Sequence, residues 1–250
     1  MPYWASAKTW NDYVNLFCMA TRNHRALAEA STWYLYAPGV AAEIARRIPD
    51  ARLVAILRQP IDRALSAYQF RVSNGEEDAP TFEEALRLEP ERIARRDWFG
   101  SHYLRAGIYM PQIQEYLRHF PKEQLLVLLY DDFCSDPTTI IRKCCEHYHI
   151  DPMFSFNINR ENVTKPPRSL MLKRLLAGRL PIGRYLRLLL PTAVRKPLVA
   201  KLKSANTLPT RKTCQADYDQ HLPYFEEDIR QLEAFLGRDL SRWRKPVTKP

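Results

Sequence analysis

Between Arg52 and Arg58 the chain runs Leu-Val-Ala-Ile-Leu with no polar interruption, and it leaves that run through Arg58-Gln-Pro. Consecutive apolar residues closed off by charged and turn-forming ones suit a strand covered on both faces. That is the condition of a parallel sheet rather than an antiparallel one. Leu125-Leu-Val-Leu-Leu129 repeats the pattern after a long helical region. Two such runs, separated and followed by helices, imply an α/β fold with a parallel sheet.

Helices are predicted over 9–19, 38–48, 60–73, 81–95, 100–120, 137–149 and 224–236, several of them opened by proline or by a capping residue. A short strand is predicted at 26–31. Two short helices broken at Pro181 and Pro191 complete the pattern. A length of 250 residues fits one domain with a sizeable core. No stretch reaches the roughly 18 uninterrupted apolar residues of a membrane span, and the N-terminus has no signal-peptide pattern. The expectation is a soluble, cytoplasmic protein.

The five cysteines are odd in number and have no CxxC spacing, which argues against a disulfide framework or a zinc ribbon. Cys144, Cys145, His147 and His149 crowd together, but Ile140, Ile141, Cys144, Cys145 and Tyr148 follow the buried stripe of one helix. Core packing is the better reading, and no metal is expected.

Charge is unevenly spread. Residues 162–216 contain 13 Lys and Arg and no Asp or Glu, whereas the remaining 25 cations face 28 acids. Only this segment is basic. It suits an anionic partner such as a nucleotide, an acidic glycan substrate, a membrane surface or nucleic acid, while most of its cations also suit solvated helix faces. Recognition of a specific nucleic acid is not indicated.

Ligands of an open parallel sheet bind at the carboxyl ends of its strands, where the next helix offers free N–H groups. The first apolar run ends directly in Arg58-Gln-Pro-Ile-Asp-Arg-Ala-Leu-Ser66, so Arg58 leaves the sheet at that edge. Pro60 opens a helix where its missing N–H is not needed. Ile61, Leu65, Tyr68 and Val72 form the buried face, which sets Asp62 and Ser66 on a neighbouring flank. A guanidinium at the strand end and a hydroxyl on the next helix can together hold a phosphate. The same residues also suit a locally paired Arg and an exposed Ser, and residue chemistry alone leaves both readings open.

Leu57-Arg-Gln-Pro-Ile-Asp-Arg-Ala-Leu-Ser-Ala-Tyr68 resembles the 3'-phosphate-binding motif of sulfotransferases that use PAPS (3'-phosphoadenosine-5'-phosphosulfate), a pattern L-R-x-P-x-x-R-A-x-S-x-Y. Glu29-Ala-Ser-Thr-Trp-Tyr34 is similar to an E-x-S-x-x-Y segment of carbohydrate-type (heparan-type) members. Arg105-Ala-Gly-Ile-Tyr109, Phe120-Pro-Lys-Glu-Gln-Leu-Leu-Val127, Tyr130-Asp-Asp-Phe133 with Asp136-Pro137, and the tail Gly237-Arg-Asp-Leu-Ser-Arg-Trp243 resemble later blocks of the family. Ordered blocks over most of the chain are far more specific than any single one.

The resemblance implies a P-loop-NTPase-like three-layer fold with a central parallel sheet flanked by helices, in one sulfotransferase domain over residues 1–250. It implies transfer of a sulfuryl group from PAPS to a hydroxyl or amine of an acceptor, by its nearest blocks a carbohydrate. Arg58 and Ser66 would hold the 3'-phosphate. Lys165 and Arg168, in Asn162-Val-Thr-Lys-Pro-Pro-Arg-Ser169, stand where related enzymes close over the nucleotide. No metal is implied. Family members begin with a strand and a Lys-Ser/Gly-Thr-Thr-type loop for the 5'-phosphosulfate, then a strand carrying the catalytic base. Nothing between Met1 and Arg25 has that form. The expectation is an N-terminally truncated version of the fold with weak or absent turnover, and no catalytic residue is assigned.

His102, Arg105 and Tyr109 fall on one predicted helix and could line an acceptor cleft, although structural roles are the better reading. Glu29 suits either substrate contact or a helix cap. Three rivals stand beside the enzyme: a P-loop kinase, whose G-x-x-x-x-G-K-[ST] is missing here; a catalytically impaired nucleotide-binding remnant; and a basic protein that binds membranes or anionic glycans through residues 162–216.

Overall fold

A computed structural model of the chain describes residues 9–97, 99–154, 156 and 211–246. Lys165, Arg168, most of the basic segment and the helices predicted around Pro181 and Pro191 lie outside the described residues. Contacts divide the chain into two units, Met1–Ala55 with Tyr116–Asn157, and Ile56–Glu115 with Ile158–Pro250.

In the first unit, α1 (Trp10–Asn15) starts from a capping box. Thr9 Oγ1 accepts the Asp12 N–H at 3.1 Å and the Asp12 carboxylate accepts the Thr9 N–H at 2.9 Å. The helix predicted over 9–19 stops after six residues because Leu16 and Met19 are exposed and give a longer helix no face to bury. α2 (Val40–Arg47) starts after Gly39, whose φ of 78° is open to glycine at little cost. The strand predicted at 26–31 is not formed. These residues are exposed and join no ladder among the described residues, and a strand without a neighbour is not stable.

β1 (Leu53–Leu57) and β2 (Leu125–Leu129) form a parallel sheet where the two apolar runs predict it. Gln124 donates its amide to the carbonyls of Pro49, at 2.9 Å, and Ala51, at 3.0 Å. This ties the start of one strand to the start of the other and fixes their register. β2 leads into α6 (Tyr130–Ser135) and α7 (Pro137–His147), the latter capped by Asp136 and opened by Pro137. Ile140 and Cys145 are buried on α7 as its stripe requires. No group of three or more His, Cys, Asp or Glu is placed to hold a metal ion among the described residues. The sheet is less covered than its apolar sequence implies, for Ile56 of β1 is 48% exposed.

The second unit is built round α3 (Pro60–Asn74) and α4 (Phe82–Ala94). Ala64, Leu65 and Tyr68 of α3 pack with Phe82, Ala85 and Leu86 of α4 and with Tyr103. Residues 100–120, predicted as one helix, are instead two 3-10 turns, Phe99–Ser101 and Arg105–Gly107, followed by α5 (Met110–Leu117). The physical reason is that carboxylates from elsewhere take the backbone amides. Glu89 accepts the N–H groups of Leu104 and Arg105, and Asp228 accepts those of Tyr109 and Met110. The last helix, α8, runs Gln215–Leu236 rather than starting at 224. Tyr218 and His221 are buried on the face that also buries Phe225, Ile229 and Leu232. That packing outweighs the roughly 3 kcal/mol of an interior proline, Pro223.

Candidate functional site

Arg58 follows β1 directly and is half-buried. Its backbone is held on two sides. The Tyr109 hydroxyl donates to the Arg58 carbonyl at 2.7 Å. The next residue, Gln59, caps α3 by accepting the Asp62 N–H at 2.7 Å, while its amide nitrogen donates to the Trp243 carbonyl at 2.9 Å. Gln59 is 1% exposed, so both bonds lie in a dry setting where their loss is expensive. Pro60 takes the first helical position. Ser66, also half-buried, stands in the second turn of α3 on the flank beside the buried stripe. This corner offers one guanidinium, one hydroxyl and a helix beginning at the strand end, a donor set suited to a phosphate monoester.

Tyr109 is itself fixed. Its N–H is bound by Asp228 at 2.8 Å, its ring lies 6.2 Å from that of Trp243, and burial pushes its phenol above the ordinary value. Burial likewise raises Asp228, only partly offset by the Tyr109 and Met110 amides it accepts. Burial raises Glu89 in the same way, against the amides of Arg105 and Leu104. Gly107 completes the support by letting the turn lie against Pro60 and Phe225, where a Cβ would meet them at 2.9 and 3.1 Å.

The residues proposed for an acceptor cleft are not on one helix. His102 is buried and its imidazole is lowered first by burial and then by Arg105, so it is neutral near pH 7. The Arg105 side chain is exposed, and Tyr109 points to the Arg58 backbone. Of the predicted site residues, the fold links Tyr109 to Arg58 and places Ser66 on the helix that Arg58 leads into. Glu29 belongs to the first unit, is exposed, and accepts from the Tyr13 hydroxyl at 3.5 Å. Tyr34 is raised by burial and then by its bond to Glu29.

Sequence reasoning misses Gln59, Gly107 and Asp228. The last had a readable signal: an acid standing in the stripe Phe225, Ile229, Leu232, where helical period demands an apolar residue.

Residues 44–165 match the family model described as a sulfotransferase domain. Human heparan sulfate glucosamine 3-O-sulfotransferase 3B1 is 31% identical over 97 residues, covering 38% of this chain and 24% of that protein. Human bifunctional heparan sulfate N-deacetylase/N-sulfotransferase 3 is 26% identical over 133 residues, covering 52% of this chain and 15% of that protein. The chain thus spans a quarter or less of the length of these curated relatives. The crystal structure of a sulfotransferase from Alicyclobacillus acidocaldarius matches with a TM-score of 0.70 at 27% identity, over 95% of this chain and 75% of that one.

Proposed function

This chain belongs to the sulfotransferase family, and on that footing we propose that it transfers a sulfuryl group from PAPS to a hydroxyl or amine of a carbohydrate acceptor. The observation that carries the reading is the fixed corner at the end of β1, where Tyr109 and Gln59 hold the backbone on either side of the Arg58 side chain. A guanidinium carried on this fixed backbone can bind a phosphate through two parallel charge-assisted bonds, and the Ser66 hydroxyl adds a third. Both would act on the 3'-phosphate, the group that separates PAPS from ATP and AMP. PAPS, when bound, supplies the sulfuryl group. This chain's part is then to hold donor and acceptor in line, a matter of positioning and charge. A glycan acceptor is supported by relatives whose names place their chemistry on heparan sulfate. A cytoplasmic setting is supported by five free cysteines, three of them exposed, which fit a reducing compartment.

Calorimetric titration with adenosine 3',5'-bisphosphate, against AMP, tests the reading. The bisphosphate should bind more tightly, and Arg58→Ala should weaken it by about 10–100-fold, the range for a hydrogen-bonded charged pair. AMP binding should be nearly unchanged. Equal affinities for both nucleotides in the unmodified chain would sink the assignment.

A further inference from the structure

Gly237, with φ of 60°, closes α8 and turns the chain back along the helix. Leu240 and Trp243, both 2% exposed, are buried on the return, and the Trp243 N–H donates to the Leu240 carbonyl at 2.8 Å in a 3-10 turn, Ser241–Arg244. One side chain fastens this turn to α8. The Arg244 guanidinium donates from Nη1 and Nη2 to the two oxygens of Glu233, at 2.8 and 3.1 Å, and from Nε to Glu226 at 2.8 Å. Glu233 also accepts the Leu240 N–H at 2.9 Å. Glu226 and Glu233 stand at i and i+7, on one face of α8 two turns apart, and the guanidinium closes over both.

The Trp243 carbonyl lies in the peptide plane that ends at the Arg244 Cα, so fixing Arg244 restricts the direction of that carbonyl. It is the carbonyl to which Gln59 donates at 2.9 Å, while Gln59 caps α3 through the Asp62 N–H and follows Arg58 directly. The Trp243 ring also lies 6.2 Å from that of Tyr109, whose hydroxyl donates to the Arg58 carbonyl. Both groups that hold the backbone around Arg58 therefore rest against one residue, Trp243. What holds Trp243 is the clasp made by its neighbour.

Resting on the reading of Arg58 and Ser66 as the 3'-phosphate pair, we propose that Arg244 is a positioning residue of that site, acting through the Trp243 carbonyl and Gln59. All three of its guanidinium nitrogens face carboxylates, and two acids outnumber the one cation, so it offers no charge to an anionic ligand. Its part is geometric. A bidentate fork sets orientation as well as distance, which a lysine ammonium does not. The Arg244 side chain is 26% exposed, so solvent screens the clasp and its effect on binding is moderate.

The full chain is titrated with adenosine 3',5'-bisphosphate and with AMP, alongside Arg58→Ala. Arg244→Ala should weaken the bisphosphate about five- to tenfold and AMP by less than about twofold, and Arg244→Lys should not restore it. Arg230→Ala, which frees Glu227 on the same helix, controls for the lost charge and should leave both affinities alone. Linkage supplies a second readout on the unmodified chain, open even where Arg244→Ala fails to fold. A ligand that needs the clasp must tighten it, so the bisphosphate should slow amide hydrogen exchange over residues 240–244, and should not do so in Arg58→Ala. Bisphosphate binding that leaves exchange there unchanged overturns the proposal. So does an Arg244→Ala protein that melts lower yet keeps the full preference for the bisphosphate, since the clasp would then serve stability alone. Both results spare the phosphate reading. Equal weakening of the two nucleotides by Arg244→Ala, or a loss matched by Arg230→Ala, also overturns it. No preference in the unmodified chain overturns both proposals.

Discussion

Replacing Gly107 by alanine adds one methyl group between two rigid neighbours. A Cβ there falls 2.9 Å from Pro60 Cβ and 3.1 Å from Phe225 Cε1, against an optimal carbon–carbon separation of about 3.5–4.0 Å. Pro60 is a ring at the first position of α3 and Phe225 is fully buried on α8, so neither swings aside. Relief requires a shift of about 0.6 Å at one of them. Overpacking of this kind costs about 1–3 kcal/mol. For a chain of this size each kcal/mol lowers the melting temperature by about 2–4 °C, so a fall of about 2–12 °C is expected. Pro60 is two residues from Arg58, and the shift should reach the phosphate corner, reducing bisphosphate affinity well below the melting temperature. Scanning calorimetry and nucleotide titration read the two effects separately. Gly237→Ala is the comparison: with φ of 60° and nothing within 4 Å, it should cost about 1–2 kcal/mol of backbone strain and leave affinity alone. A Gly107→Ala protein that melts within 1 °C of the unmodified chain refutes the close seat on Pro60. One that melts lower yet binds the bisphosphate as tightly refutes the link from Pro60 to Arg58.

Tyr109→Phe removes the donor to the Arg58 carbonyl while keeping the ring beside Trp243, and should cost about 1–3 kcal/mol together with several-fold weaker bisphosphate binding. Unchanged affinity in a titration would reduce Tyr109 to packing. Glu77 gives a pH prediction: burial pushes it up, but the bonds it accepts from Arg92, Tyr103 and the Ala79 N–H bring it below the ordinary carboxylate value. Its contribution is therefore complete above its unfolded value, near 4.3, and is lost as pH falls through the folded value. Glu77→Gln should flatten the acid limb of a plot of melting temperature against pH below about pH 4, and an unaltered limb would exclude Glu77 as its cause.

The strands and α3 are legible in the sequence because their determinants are local: unbroken apolar runs for β1 and β2, and a proline opening a regular apolar stripe for α3. The placement of Arg58 at the end of β1 and of Ser66 on α3 is legible for the same reason, since one stretch of twelve residues holds both. Residues 100–120 are not, because what stops them from continuing as a helix comes from α4 and α8. The carboxylates that claim their amides are up to 119 residues distant. A trace is still present, for Glu89 interrupts the stripe of Phe82, Ala85 and Leu86 just as Asp228 interrupts that of α8. An acid in an apolar stripe marks a buried anchor, but not what it anchors. Pro223 misleads in the opposite direction, suggesting a helix start where tertiary packing carries the helix through.

The amide of Gln59 reaches a carbonyl 184 residues further along the chain, and Asp62 meets a hydroxyl 151 residues away. Arg58 and Ser66 leave the ribosome long before Thr213, Asp228 and Trp243 exist, so the growing polypeptide carries the motif without the corner. Closing loops of this length is slow, and its entropic cost must be met before the contacts form. Domains of this size assemble as units once their distant segments are available. On the proposed reading, a translation product halted before α8 would be silent towards nucleotide rather than weakly active, and binding of a 3'-phosphorylated nucleotide would report completed synthesis as directly as it reports the motif.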